Sequence, residues 1–480
     1  MRMPILKAIL LATAVAALAP AAQAADPAPD PLQAETPPPA ADVIVTRDGD
    51  TWTADYELER DAPVWAFFRS SLTHETREPW RPEQWQVLTP GVVLERVGNL
   101  DILRTVDGSD VPRHLRMALT PSSETLEADY GSLIFTDGSV ALFTGAFDVF
   151  PLESIDLART APDDLNELNI PVDSVRITWR DTSGPVLVDG QHLMEATTQD
   201  DSAYVLFGQA RMTETPGVVM VADRQLPVWI SAEIEAFAPQ VIEYYGGRLG
   251  LGQTDRPTIM ASWRGPTPGM TGFSGSVLPG LIAMSLEGEA LLESSTGVLD
   301  HSRWFISHEG AHFWLGQTVR YERARDAWIT EGGADLMAAL ATKALVPTYD
   351  LRAERQREVD ECIDLADHPV SEAGSRGRHT AYYACGAVFA MIAHAAQARH
   401  DGGDWFDFLR PLIDANREDG VLTRAEWLDH LTSISGDASL AADIVVMLDQ
   451  GVEDPQATLA GLFARSGVSF QLQDGSLRLD

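Results

Sequence analysis

Basic residues are scarce in this chain of 480 residues, and their scarcity excludes a class of partner. Only 35 Lys and Arg stand against 71 Asp and Glu, which gives a formal net charge of −36. A phosphate backbone or an anionic membrane surface needs a basic surface opposite it, so we expect no nucleic-acid partner. The length exceeds that of one compact core, so we expect two or three domains.

Cysteine is also scarce, with Cys362 and Cys385 as the only two. In an oxidising compartment they could pair across an antiparallel helix hairpin. Their spacing of 23 does not fix the Cα distance that a disulfide requires. A disulfide and two buried thiols therefore both remain open.

Long hydrophobic runs are missing after the N-terminus, so we expect no membrane span. The first segment, MRMPILKAILLATAVAALAPAAQA, has Arg2 and Lys7, then an apolar stretch, then the small-x-small ending Ala22-Gln23-Ala24. This pattern is typical of a cleavable signal peptide, and the apolar stretch is too short for an anchor. We therefore expect a periplasmic or secreted protein.

The composition and the pattern of apolar and polar residues change along the rest of the chain. Residues 25–41 are rich in Pro and Ala, which predicts a disordered linker. Residues 42–228 alternate apolar and polar residues between D-G and T-S-G turns, which predicts an antiparallel β domain of sandwich type. Residues 346–480 are mostly helical in pattern, with a possible final strand at VSFQLQ.

Residues 229–345 carry the candidate site, and their pattern mixes helices with short strands. Ser231 is a plausible N-cap for the first helix. GSVLPGLIAMSLEG predicts one strand at a sheet edge. Helices are predicted at about 300–317, 325–342 and 350–366.

The segment HEGAHFWLGQ, residues 308–317, has the spacing of a zinc site. His308 and His312 are four apart, so both imidazoles lie on one helix face and can bind one ion. Glu309 lies about 100° round the helix, where it can miss the metal yet reach its water. That arrangement suits a Zn²⁺-activated water with Glu309 as general base. The alternative is an ordinary helix with two histidines on one face.

A catalytic zinc takes three protein ligands and keeps one position for water. Glu331 follows His312 with 18 residues between them, in the first turn of the next predicted helix. We predict it as the third ligand of a single Zn²⁺, and Asp335 as the partner of a ligand histidine. The alternatives are a carboxylate that only complements the helix dipole and a solvated helix residue.

These strings resemble the gluzincin aminopeptidases of the membrane alanyl aminopeptidase family. Those proteins carry H-E-x-x-H-x-W-x-G-N and then D-x-W-L-x-E-G-F-A, against HEGAHFWLGQ and DAWITEGGA here. The resemblance covers about residues 230–400. It implies a multidomain α+β fold with an N-terminal antiparallel β domain, a thermolysin-like catalytic domain and a helical C-terminal region.

The resemblance also implies a tyrosine that stabilises the oxyanion, three residues before a glycine. AYYACGAVFAM places Tyr383 in that position, with Tyr382 as the second candidate. The family's G-x-M-E-N strand, whose Glu binds the free amine, has no counterpart here. If residues 280–282 fix the register, Val277 stands in its place; Glu287 and Glu289 are weaker substitutes.

The sequence thus predicts an exported zinc-dependent metallopeptidase that hydrolyses peptide bonds, and the resemblance implies that it is aminopeptidase-like. Two alternatives stay open. One is a zinc peptidase without free-amine specificity, and the other is a non-catalytic zinc-binding scaffold protein. The oligomeric state and the residue preference at the cleaved bond do not follow from the sequence.

Overall fold

The computed structural model describes residues 39–127, 129–162, 164–165, 174–199, 202–252, 254 and 256–480. The predicted signal peptide and all but the last three residues of the predicted linker lie outside the described residues. In the described part the fold is mixed α/β, with many antiparallel strands followed by a helical C-terminal region. No helix within it combines the length and apolarity needed to cross a bilayer.

The N-terminal part consists mainly of strands. They are β1 Ala41–Asp48, β2 Thr51–Leu58, β3 Val64–Phe67, β4 Trp85–Val87, β5 Val92–Val97, β6 Leu100–Thr105, β7 His114–Leu119, β8 Leu133–Ile134, β9 Val140–Phe143, β10 Val149–Leu152, β11 Val175–Asp181, β12 Val186–Val188, β13 Gln191–Leu193, β14 Glu195–Gln199 and β15 Tyr204–Phe207, with short helices α1 Trp80–Gln84 and α2 Ile155–Arg159.

These strands form sheets in the orders β14-β11-β1-β2-β7-β4, β10-β3-β6-β5 and β13-β12-β15-β9-β8. Pairing is antiparallel, as predicted, except that β1 and β11 run parallel. The alternating pattern has its usual cause: on β1, Ala41, Val43 and Val45 are buried, while Asp42 and Ile44 between them are partly exposed. The predicted strand-rich texture is confirmed.

A mixed parallel and antiparallel sheet follows, and it positions the candidate site. Its strands are β16 Arg211–Glu214, β17 Val219–Ala222, β18 Thr258–Trp263, β19 Gly272–Leu278 and β20 Leu281–Glu287. The order is β16-β17-β18-β20-β19, so β19 lies at the edge. The segment predicted as one edge strand is a hairpin, because Gly280 takes a positive φ of 69° and turns the chain.

The two faces of this sheet are both covered. On β18, Ile259 and Ala261 pack into the core of the helical region, while Met260 between them packs into the core of the N-terminal sheets. β16 and β17 precede residue 229 but pair within this sheet. The predicted domain boundaries therefore stay predictions.

The helical region contains the following elements. They are α3 Val228–Leu249, α4 Thr296–Ala311, α5 Trp328–Leu345, α6 Leu351–Leu365, α7 Thr380–Asp401, α8 Trp405–Ala415, α9 Arg424–Ser435, α10 Ala438–Asp449 and α11 Pro455–Ser466, with short strands β21 Arg320–Tyr321, β22 Val421–Leu422, β23 Phe470–Gln473 and β24 Ser476–Leu479.

Two predicted helix starts were wrong. α3 begins at Val228, directly after Pro227, so Ser231 lies inside the helix and does not cap it. Proline there has a fixed φ and lacks an N–H, which suits a helix start. α4 begins at Thr296, where the Ser295 side chain accepts a hydrogen bond from the Val298 N–H.

The two cysteines are joined. Cys362 on α6 and Cys385 on α7 form a disulfide, with their Cα atoms 4.7 Å apart. Of the two alternatives left by the sequence, the structure has the disulfide. It ties α6 to the helix that carries Tyr383.

Candidate metal centre

The ends of two helices bring three potential ligands together. α4 carries His308 in its last turn, and His312 is the residue that ends it. α5 carries Glu331 in its first turn. One ligand atom from each of the three lies within 4.8 Å of the others.

The distances among these atoms lie within about 0.3 Å of those around a tetrahedral zinc ion. The two Nε2 atoms of His308 and His312 are 3.1 Å apart. Glu331 Oε2 lies 3.9 Å from the first and 3.5 Å from the second. Zinc bonds of about 2.0–2.2 Å at tetrahedral angles separate ligand atoms by roughly 3.3–3.6 Å.

Each imidazole has an oxygen atom close to its outer nitrogen. His308 Nδ1 lies 2.8 Å from Asp335 Oδ1, and His312 Nδ1 lies 2.8 Å from the Leu315 carbonyl oxygen. A carbonyl oxygen only accepts, so the His312 proton sits on Nδ1. The Nε2 atom of His312 therefore has a free lone pair, and a proton on His308 Nδ1, toward Asp335, leaves one on His308 Nε2 as well.

Two lone pairs and a carboxylate that face one point repel one another. A bound cation removes that repulsion, and two imidazoles with one carboxylate form a donor set typical of catalytic zinc. The residues present therefore fit Zn²⁺. Asp335, buried at 3% exposure, also fits the role of holding a ligand histidine in one tautomer.

Glu309 lies beside the three ligands and is nearly enclosed. Its exposure is 5%, and burial raises the pKa of its carboxyl group, against the charges of His308 and His312, which lower it. On β19, Gly275 leaves the space that this carboxylate occupies, because a Cβ atom there would overlap the Glu309 carboxylate. No sequence signal pointed to Gly275, since the residues around a strand position do not reveal what that position faces.

The two tyrosines of α7 have different surroundings. The Tyr383 ring stacks against His308, with centroids 5.9 Å apart, and the charge of Glu331 is the main cause of the raised pKa of its phenol. The Tyr382 hydroxyl instead donates to the Ser371 carbonyl and accepts from the Gly374 N–H, each at 3.2 Å. Tyr383 is thus the tyrosine at the centre.

The edge strand β19 carries no acid at position 277, where the register fixed by residues 280–282 places the amine-binding Glu of the resembling family. Val277 is 6% exposed and packs in the core. Its carbonyl accepts a hydrogen bond from Gln317 Nε2 at 3.0 Å and from the Tyr130 hydroxyl at 3.4 Å. Tyr130 belongs to the N-terminal part, and no sequence signal pointed to it.

The two weaker substitutes lie elsewhere on the hairpin. Glu287 is held by Arg264 at 3.4 Å and by the Thr267 hydroxyl at 2.5 Å. Glu289 is exposed, in a short helical turn after β20. Neither is brought to the metal ligands by the contacts described.

Comparison with known proteins shows which fold this chain has. No protein-family model matches the sequence, and no curated protein matches it. An aminopeptidase N family protein from Idiomarina loihiensis superposes with a TM-score of 0.60 at 11% identity, over 91% of this chain and 80% of that one. An M1 zinc metallopeptidase from Deinococcus radiodurans, solved as a mutant with a Tyr-Ser-Ala substrate, gives 0.51 at 13% identity, over 86% and 94%. The chain therefore has the fold of M1 family aminopeptidases.

Proposed function

We propose that this protein is an exported zinc-dependent metallopeptidase with a thermolysin-like catalytic domain. The observation that carries the proposal is the convergence of His308, His312 and Glu331, with an oxygen 2.8 Å from each outer imidazole nitrogen and Glu309 buried alongside. The M1 fold supports it. A purely structural zinc has no use for a buried carboxylate beside three ligands and more often has four protein ligands.

The residues of the centre have separate roles in hydrolysis. When bound, Zn²⁺ supplies Lewis-acid polarisation of the scissile carbonyl and of the attacking water. Glu309 accepts a proton from that water and later delivers it to the leaving nitrogen. The Tyr383 hydroxyl donates to the carbonyl oxygen as negative charge develops there.

The edge strand β19 argues against strict selection of a free amine. A desolvated ammonium group needs a carboxylate partner, and such charge-assisted contacts contribute about 1.5–3 kcal/mol. Val277 is buried and apolar at the position that supplies this carboxylate in the resembling family. We therefore favour a peptidase with aminopeptidase-like architecture and weak free-amine specificity.

A fluorogenic panel tests both points. Matched free-amine and N-acetylated peptides are assayed with zinc, with chelator and after zinc is restored. The proposal requires cleavage that the chelator abolishes and zinc restores, with at most about tenfold discrimination in kcat/KM between the members of a pair. A hundredfold preference for the free amine would show that another acid anchors it.

The second candidate, a zinc-binding scaffold, predicts a different outcome in the same panel. Zinc would bind stoichiometrically, and no peptide would be cleaved at any zinc concentration. The buried position of Glu309 beside Gly275 favours the peptidase.

A further inference from the structure

One arginine of the N-terminal part lies beside a tyrosine that contacts the edge strand β19. Arg69 follows β3, and its guanidinium lies 5.4 Å from the ring centroid of Tyr130 and 5.6 Å from that of Phe143. The Tyr130 hydroxyl in turn contacts the Val277 carbonyl on the edge strand. These contacts connect Arg69, through Tyr130, to the strand position where the resembling family has its amine-binding Glu.

The backbone that carries Arg69 is held by buried charges. Arg81 donates to the Arg69 carbonyl, and Arg96 donates to the Ser70 carbonyl. Arg81 and its partner Asp101 are both fully buried, with Nε and Oδ2 3.8 Å apart. Buried ion pairs are poor sources of stability, so fixing the position of this loop is the more direct use of the cluster.

The guanidinium of Arg69 keeps donors available. Its side chain is 41% exposed, and its contact with an acid is Asp129 Oδ1 at 3.6 Å, beyond hydrogen-bond distance. Among the described residues, its N–H groups make no hydrogen bond to a side chain or carbonyl. A guanidinium has five N–H donors in a fork that matches a carboxylate.

The charges of Arg69 and of the metal ligand Glu331 both influence the pKa of the Tyr321 phenol. The pKa of Tyr321 is raised to about 12, mainly by burial and by the charge of Glu331, while the charge of Arg69 lowers it. Tyr130 is under the influence of the same two charges. The geometric link is Tyr130: Arg69 lies over its ring, and its hydroxyl contacts the Val277 carbonyl on β19, the strand on which Gly275 faces the Glu309 carboxylate.

We propose that Arg69 binds a carboxylate on the acyl side of the scissile bond. The favoured substrates are then peptides with an acidic residue, or a dicarboxylic N-acyl group, directly before the cleaved bond. This inference rests on the proposed peptidase function. A carboxylate at position 277 would bind an ammonium group of the substrate. Here the edge strand has Val277 and the adjacent loop has Arg69, so the substrate group bound is an anion instead.

The test compares matched substrates that differ in one charge. They are the aminocoumarin amides of Glu and Gln, and of N-succinyl-Ala and N-acetyl-Ala. We expect the acidic member of at least one pair to have about tenfold higher kcat/KM. The Glu pair reports a side-chain carboxylate and the succinyl pair an N-acyl carboxylate. Equal rates within both pairs would overturn the inference.

Variants assign the preference to Arg69. Arg69→Gln should reduce the ratio within the pair to about one, and Arg69→Lys should retain part of it. Arg116→Gln removes an equal charge from an exposed pair with Asp55 on neighbouring strands and should leave the ratio unchanged. Melting temperature and zinc content show whether each variant is folded. A preference that survives in folded Arg69→Gln contradicts the inference.

A binding measurement separates this inference from the proposed function. Calorimetric titration compares N-succinyl-Ala with N-acetyl-Ala on wild type and on Arg69→Gln, without turnover. Tighter binding of the succinyl compound to wild type alone supports Arg69 even if no peptide is cleaved. Cleavage of neutral peptides without any such difference leaves the peptidase standing and removes the role of Arg69.

Discussion

Gly332 on α5 and Gly386 on α7 face each other where the two helices cross, and neither has room for a Cβ atom. A Cβ on Gly332 would overlap the backbone of Gly386 and Ala387, and one on Gly386 would overlap the Trp328 carbonyl. Glu331 precedes the first glycine, and Tyr383 lies three residues before the second. The close crossing therefore sets the position of a metal ligand and of the candidate oxyanion donor together.

Gly386→Ala should separate α5 from α7. Because the overlap is with backbone, we expect a loss of unfolding free energy of about 1–3 kcal/mol, with lower zinc content. Denaturant unfolding and metal analysis measure both. Gly247→Ala on α3, where a Cβ meets nothing within 4 Å, is the matched control. It should be neutral or stabilising by up to about 1 kcal/mol. Equal effects of the two substitutions would refute the close-crossing argument.

Gly275→Ala should displace the Glu309 carboxylate without removing the metal ligands. We expect kcat to fall on the order of a hundredfold, because a general base moved by about 1 Å loses its alignment, while zinc content stays near wild type. Gly272→Ala on the same strand is the control, since its Cβ would meet nothing closer than 3.6 Å. If both variants keep full activity, Gly275 does not make room for the base.

Asp335→Asn should weaken zinc binding by about 10–100-fold, because the acid that orients His308 loses its charge. Competition with a chromogenic chelator measures the affinity. Asp360→Asn, an exposed α6 acid paired with Arg478 at 2.9 Å, should leave zinc affinity unchanged. Unaltered affinity in Asp335→Asn would mean that the His308 orientation does not depend on this carboxylate.

Tyr383→Phe and Tyr382→Phe should have opposite signatures. Loss of the Tyr383 hydroxyl removes the proposed oxyanion donor, so kcat should fall by about 10²–10³ with stability retained. Loss of the Tyr382 hydroxyl removes its contacts with Ser371 and Gly374 and should cost about 1 kcal/mol of stability with kcat retained. The reverse pattern in steady-state kinetics would exchange their roles.

What the sequence predicted best was local. His308 and His312 are four apart on one helix, and Glu331 lies in the first turn of the next, so their types and spacing alone indicated the group that the structure brings together. Strand texture and the helical C-terminal region followed from periodicity for the same reason. The roles of these residues in catalysis stay proposals.

What the sequence did not predict depends on contacts between distant segments. Gly275 matters because of what lies opposite it on α4, and Arg69 because of a loop 208 positions before Val277. Element ends also depended on neighbours: Ser231 looked like a cap, but Pro227 starts α3 earlier. No spacing rule relates such pairs, so only the fold reveals them.

The Glu309→Gln variant tests the central claim most directly, because it removes the proposed base and keeps the shape of the site. Zinc content and kcat on one N-acetylated peptide are measured in the same preparation. The account predicts zinc near the wild-type level and a kcat lowered by about 10²–10⁴. Unchanged turnover, or loss of zinc together with activity, would contradict it.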